Sequence, residues 1–207
     1  MTIRCIMFDM GRVLVDFSHD RMFEAMGEVC GASGQQIREW LWDSGLQGRF
    51  ERGEIDSGAV RDELQGRAGR EIDETELMRA ASDIFTLNEP LLEVIDRLKH
   101  AGYRLVVLSN TCPPHVEWIG RHWDVLERFD ALVFSYEVGA MKPSPQIYRA
   151  AIDVAGCEAG ECFFVDDLPE NVEAARALGL SGAVYVGVES LQEALAGAGV
   201  AAACESD

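Results

Sequence analysis

Three short apolar runs constrain this chain more than anything else in it. Residues 5–8 (CIMF), 105–108 (LVVL) and 162–165 (CFFV) read as strands buried on both faces, the kind that parallel sheets contain. Each run stops at a polar residue: Asp9 after the first, Ser109 and Asn110 after the second, Asp166 and Asp167 after the third. Between and after them the pattern alternates. An amphipathic helix is expected over 90–100, broken by Gly102, and a helical stretch over 114–128. A short strand follows at 131–135, then a helix that Ser144 and Pro145 open as N-cap and first residue. A helix at 169–178 and a last strand at 182–187 complete the alternation, which implies a parallel, doubly wound sheet.

The stretch from 17 to 87 breaks this rhythm and reads as helices only. Ser18 caps a segment with Met22, Phe23, Met26 and Val29 on one face, ending near Gly31. Ser33 caps a second, with Ile37, Trp40 and Leu41, ending at Gly45. Ser57 caps a third carrying Val60 and Leu64, and Asp73 with Glu76 opens a fourth carrying Leu77, Ala81, Ile84 and Phe85. The expected architecture is an α/β, Rossmann-like core made of residues 1–15 and 88–207, interrupted by a helical bundle over 16–87. That insert enters directly after the Asp9 loop, which places it over the C-terminal edge of the sheet. The Ala/Gly-rich tail from about 196 has little to bury and is expected to fray.

Composition narrows the function. A net charge of −18 argues against nucleic acid, whose phosphates would be repelled. No apolar run approaches the ~20 residues that span a bilayer, and no basic-then-apolar segment precedes the first strand, so the cytoplasm is the expected address. Six cysteines (Cys5, Cys30, Cys112, Cys157, Cys162, Cys204) form no CxxC pair and read as reduced, small core hydrophobes rather than a zinc site.

In an open parallel sheet, ligands bind outside the carboxyl ends of the strands. One polar strand end is ordinary wetting; three converging ends point to a site. Carboxylates crowded there repel one another, and a bound divalent cation removes the conflict. All-oxygen ligands suit a hard ion, and Mg2+ keeps coordination places for water and a phosphate. The cation would also attract an anionic ligand to an acidic protein. Lysine usage adds a clue. The chain holds 16 arginines but only Lys99 and Lys142. Lys99 sits at a helix C-terminus, whereas Lys142 lies in a loop, where a compact charge would serve a phosphate oxygen or the Asp9 carboxylate.

Four stretches, "FDMGRVLVDF", "VVLSNT", "GAMKPSPQIY" and "FFVDDLPENVEAA", resemble in order and spacing the four motifs of the haloacid dehalogenase-like hydrolases. The resemblance runs from residue 3 to about 187, and the insert looks like the family's helical cap. Within the family the chain is similar to the branch that holds a bacterial glucose-1-phosphate phosphatase and the phosphatase domain of soluble epoxide hydrolase. The resemblance implies Asp9 as a nucleophile that forms an aspartyl-phosphate, Ser109 and Asn110 as phosphate binders, and Lys142 as neutraliser of the phosphoryl group and orienter of Asp9. It implies Mg2+ held by Asp9, Asp167 and the Gly11 carbonyl, with Asp166 in support; Asn171 stands where many relatives have another acid.

Gly11 departs from the pattern, because family phosphatases usually have an acid/base Asp there. Its carbonyl can still serve a metal, but proton transfer is lost, and leaving groups of low pKa are favoured. Arg12 is a second departure, reaching toward phosphate or pointing outward. His19 either replaces the missing acid or is a surface histidine. Arg49, Arg52, Trp40 and Trp42 are candidates for specificity. The expected function is a Mg2+-dependent phosphatase of a small phosphorylated metabolite, such as a sugar 1-phosphate. The alternatives are a catalytically weak phosphate-ligand binding or regulatory protein, which Gly11 and Arg12 favour, and a haloacid dehalogenase. Met10, where dehalogenases have an aromatic residue, and the Asp166–Asp167 pair speak against the last.

Overall fold

The expected buried strands assemble around the first of them. In the computed structural model, which describes residues 2–200, β1 (Cys5–Phe8) has every residue buried. It lies between β4 (Arg104–Ser109) and β6 (Cys162–Asp166), with β5 (Ala131–Phe134) and β7 (Ser181–Val184) at the edges. The order β5-β4-β1-β6-β7 is parallel throughout. Alternate residues of β1 serve two cores. Ile6 and Phe8 pack with α6 (Glu89–His100), α7 (Pro113–His122) and α11 (Val188–Gly197), while Cys5 and Met7 pack with α9 (Pro145–Ala155) and α10 (Pro169–Ala177). The short α8 (Ser135–Val138) follows β5.

Register decides what the sheet presents at its end. Phe8 pairs with Val107 and with Val165. One residue beyond that row stand Asp9 and Asp166; two beyond stand Ser109 and Asp167. The chain leaves β1 toward β4 and β5 and returns to its other side as β6, so the crevice opens at the switch of direction.

Residues between the sheet's first two strands form a third hydrophobic cluster, built on Met22, Phe23, Ile37, Leu41, Leu64 and Leu77. Its helices are α1 (His19–Cys30), α2 (Gly34–Arg38), α3 (Leu46–Glu51), α4 (Ser57–Ala68) and α5 (Glu74–Ser82), with a π-helical turn over Glu39–Asp43. Ser18, Ser33 and Asp73 cap α1, α2 and α5 through their side chains. The chain enters and leaves this cluster side by side, through an antiparallel ribbon of β2 (Val15–Asp16) and β3 (Thr86–Leu87). Asn88 pins the ribbon by donating to Val13 O (2.7 Å) and Tyr185 Oη (2.8 Å).

Several local expectations change. The cap of α4 is Asp56, which accepts from Ala59 N at 2.8 Å, so Ser57 is the first helical residue. A fifth helix, α3, stands between Gly45 and Gly53 where none was expected. The last strand ends at Val184, and the stretch after it is α11, whose Leu191 and Leu195 cover the sheet. The tail is therefore held beyond 196: Val200 is fully buried. Residues 201–207, with Cys204, lie outside the described residues. The other five cysteines are free thiols. No helix among the described residues is long and apolar enough to cross a membrane.

One glycine sets how α3 meets the core. Gly53 has φ +66°, and a Cβ there would lie 2.2 Å from Tyr136 O. Gly53→Ala must therefore strain the backbone and push α3 off α8. We expect a loss of about 1–3 kcal/mol, read as a fall of several degrees in Tm. An unchanged Tm would mean that the two backbones do not touch.

Candidate active site

Asp9 leaves the sheet with its backbone still paired, N–H donating to Val165 O at 2.8 Å. The loop then folds back at once: Leu14 and Val15 both donate to Met10 O, and Arg12, at φ +59°, donates to Val15 O at 2.7 Å. This turn fixes the Asp9 carboxylate, whose Oδ1 accepts from Met10 N at 2.7 Å.

Lys142 brings the other strand ends together. Its ammonium lies 2.7 Å from Asp9 Oδ1 and 2.7 Å from Asp166 Oδ2, and it donates to Leu108 O at 3.0 Å. The Lys142 side chain is 1% exposed, so these contacts replace water almost completely. Asn110 holds the lysine in place: its Oδ1 accepts from Lys142 N at 2.7 Å and its Nδ2 donates to Lys142 O at 3.0 Å. Asp166 is fully occupied, accepting in addition from Leu168 N and from Asn171 Nδ2. Tyr148 fixes that asparagine in turn, donating to Asn171 O at 2.8 Å.

The electrostatics are strained without a further cation. Burial, helped by the Asp166 charge, pushes the Asp9 carboxyl up to about 7 against the pull of Lys142. Burial would lower the Lys142 ammonium, but the two carboxylates outweigh it and raise it. Asp167, half-buried, is raised by burial and by Asp166. Asp9, Asp166 and Asp167 each offer an oxygen within 4.8 Å of the others. Three carboxylates against one ammonium leave two negative charges, and an all-oxygen set of that charge fits a hard divalent ion. Asp9 and Asp167 keep carboxylate oxygens free to meet such an ion, whereas Asp166 already serves Lys142 and Asn171.

These groups open onto a cavity of about 460 Å³. Ser109, Asn110 and Thr111 line it, and the buried Thr111 Oγ1 has no hydrogen-bond partner among the described residues. Gly11 lines it too, and its missing side chain has a physical reason: a Cβ would lie 2.8 Å from Cε1 of Phe17. An aromatic ring has taken the place where an acid would stand. Arg12 spreads its guanidinium 5.0 Å over that ring. His19 also faces the cavity, packed edge to face against Phe17 (4.7 Å) and Trp42 (4.6 Å), and burial lowers its pKa. Trp42 joins the lining, whereas Trp40 packs against the helical cluster and Arg49 and Arg52 turn away to Glu54. The sequence reading missed Phe17, Gln47, Glu51, Phe85, Thr111 and His115. Gln47 and Glu51 went with their helix, although Leu46 and Phe50 between two glycines mark it. His115 is burial-lowered to about 4 and donates to or accepts from nothing in the cavity itself, contacting Ala81 O at 3.2 Å.

A haloacid dehalogenase-like hydrolase family model matches residues 3–179. The chain is 28% identical over 185 residues to a D-ribitol-5-phosphate phosphatase of Bacteroides thetaiotaomicron, covering 86% of this chain and 89% of that protein. It is 28% identical over 116 residues to bifunctional epoxide hydrolase 2 of Rattus norvegicus, covering 51% of this chain and 20% of that one. A crystal structure of a haloacid dehalogenase-family enzyme from Bacteroides thetaiotaomicron, in complex with magnesium and inorganic phosphate, superposes with a TM-score of 0.80 at 26% identity, covering 88% of this chain and 93% of that one. The protein belongs to the haloacid dehalogenase-like hydrolases. Within them it is a phosphatase, a hydrolase of phosphoric monoesters.

A proton on Asp9 competes with any cation there. Mg2+ affinity should rise with pH by up to about tenfold per unit below pH 7 and level off above. Because folding raises the Asp9 pKa, the metal-free protein loses stability as pH climbs from about 4 through about 7. The gain in Tm on adding Mg2+ should therefore be small at pH 5.5 and largest above pH 7. Calorimetry and thermal melts across that range test both, and a flat profile would count against Asp9 as a ligand.

Proposed function

We propose that the chain is a Mg2+-assisted phosphomonoesterase that works through an aspartyl-phosphate on Asp9 and acts on a small phosphorylated metabolite such as a sugar 1-phosphate. The observation that carries this reading is the Lys142 ammonium 2.7 Å from the Asp9 carboxylate, at the edge where the strand ends meet. Residues 16–87 act as a cap over a catalytic core of 1–15 and 88–207; the separate hydrophobic cluster and the two-stranded ribbon support that division.

Asp9 Oδ1 takes both Met10 N and Lys142, and no hydrogen bond engages Oδ2 among the described residues, which leaves it to attack phosphorus. The P–O bond to the leaving group breaks as the Asp9–phosphorus bond forms. The Ser109 hydroxyl binds a phosphoryl oxygen. The Lys142 ammonium, its three donors given to Asp9, Asp166 and Leu108 O, offsets the phosphoryl charge from beside Asp9, while the Asn110 side chain, engaged with the Lys142 backbone, positions the lysine. When bound by Asp9, Asp167 and the Gly11 carbonyl, Mg2+ supplies positive charge to the phosphoryl oxygens as their charge redistributes. Water then attacks phosphorus, inorganic phosphate departs and the Asp9 carboxylate returns. Residue 11 offers no proton in either half, so the leaving group must depart as a stable anion or find its proton elsewhere.

Asp9→Asn should abolish turnover of 4-nitrophenyl phosphate while leaving the fold intact, because the near-isosteric amide oxygen still accepts from Lys142 and the lysine keeps its ion pair with Asp166. Near-parental activity in that variant would remove the mechanism. Rates in the parent should fall steeply as the leaving group becomes a poorer acid, by ~10² to 10⁴-fold between aryl and simple alkyl esters. Gly11→Asp alone collides with Phe17, so only Gly11→Asp combined with Phe17→Ala should recover alkyl esters. Rapid-mixing kinetics over a graded ester series would read both, and a flat series would show that another group supplies the proton.

A further inference from the structure

The cavity has two kinds of wall. The strand ends contribute the charged groups that meet a phosphate. The helical segment and the residues beside it contribute a run of rings: Trp42 against His19 at 4.6 Å, His19 against Phe17 at 4.7 Å, Phe17 against Phe85 at 5.9 Å and Phe85 against His115 at 5.1 Å. Beside them, on α3, stand Gln47 and Glu51. Gln47 Nε2 donates to Glu51 Oε1 at 2.8 Å. Glu51 makes no ion pair among the described residues, since its neighbours Arg49 and Arg52 both pair with Glu54. Its Oε2 accepts no hydrogen bond there either. Burial raises its pKa, outweighing the Gln47 hydrogen bond and the Arg52 charge, as expected of a carboxyl drawn out of water without a directly paired cation.

Nothing in the phosphoryl chemistry uses this carboxyl. In a cavity for a dianionic substrate, within a chain of net charge −18, it disfavours binding unless the substrate brings donors to it. We propose that Glu51, held by Gln47, forms a second subsite that accepts hydrogen bonds from hydroxyl groups on the substrate's leaving group and rejects substrates with an anionic group at that place. This rests on the phosphatase reading above. A polyhydroxylated chain or sugar ring fits both features: its C–H faces pack against the rings and its hydroxyls donate to the carboxyl. An ammonium group fits less well, because the Arg12 guanidinium lies 5.0 Å over Phe17 in the same cavity. A second carboxylate or phosphate would meet Glu51 at low dielectric, where like charges repel strongly.

Sorbitol 6-phosphate and 6-phosphogluconate are a matched pair for the test, differing in a hydroxymethyl or a carboxylate at the end away from the phosphate. The parent should favour the sorbitol ester in kcat/KM by ~10²-fold. Glu51→Gln, which keeps an acceptor and removes the charge, should cut that ratio at least about tenfold. Gln47→Ala should raise KM for the sorbitol ester and keep its preference over the acid. Should Glu51→Gln not fold, competitive inhibition of 4-nitrophenyl phosphate hydrolysis decides in the parent, where Ki for 6-phosphogluconate should exceed that for sorbitol 6-phosphate at least about tenfold. An equal ratio in parent and Glu51→Gln, or a parent that prefers the acid, overturns the subsite while leaving the phosphatase intact. A parent that hydrolyses no ester, 4-nitrophenyl phosphate included, overturns the phosphatase reading and the subsite with it.

Discussion

A single buried ammonium organises this protein's chemistry. Lys142, drawn out of water, is stable there only because Asp9 and Asp166 each approach it at 2.7 Å. Those carboxylates come from two different strands, and the lysine comes from the loop between α8 and α9, so the contact requires the sheet in register. Much of the surrounding hydrogen bonding maintains it. Asn110 clasps the lysine backbone from both sides, Asn171 and Leu168 N fix Asp166, and Tyr148 fixes Asn171. Yet one ammonium does not balance three carboxylates. The remaining negative charge and the raised pKa of Asp9 are what make the site receptive to a divalent cation.

The second organising feature is that the cavity belongs to two segments of the chain. Charge comes from the strand ends; rings and the Gln47–Glu51 pair come mostly from the helical side. The two are joined by the β2–β3 ribbon and by the close approach of Gly53 to Tyr136, on the helix α8 that precedes the Lys142 loop. The charged groups and most of the rings thus stand on separate hydrophobic clusters and meet at a shared wall. Gly11 shows how tightly they meet. A Cβ on its bare backbone would lie 2.8 Å from the ring of Phe17, so a side chain at position 11 requires that ring to shift.

The strands, their order of use and the polar residues at their ends were legible in the sequence, because strands buried on both faces must be apolar throughout and must stop where water begins. Helix starts were mostly legible for a similar local reason: Ser18, Ser33, Asp73 and Ser144 satisfy backbone donors within their own turn. Asp56 displaced Ser57 because either can cap, and only the backbone path decides which one sits outside the helix. Helix α3 was too short for its period to show, and α11 lies mostly before the Ala/Gly-rich tail, in a stretch given no element, its burial depending on a partner sheet.

The sequence by itself determined a parallel sheet with Asp9, Ser109, Asn110, Asp166 and Asp167 at one edge, and a lone loop lysine available to it. Tertiary structure decided the assignments among them: that Asn110 serves the lysine's backbone, that Asp166 is consumed by Lys142 and Asn171 while Asp167 is not, and that Phe17, Trp42, Gln47 and Glu51 face the same cavity. The reason is physical. A residue's tendency to be buried or to end a strand is a property of its own side chain, whereas a hydrogen bond or a shared cavity depends on which other residues the fold brings within reach.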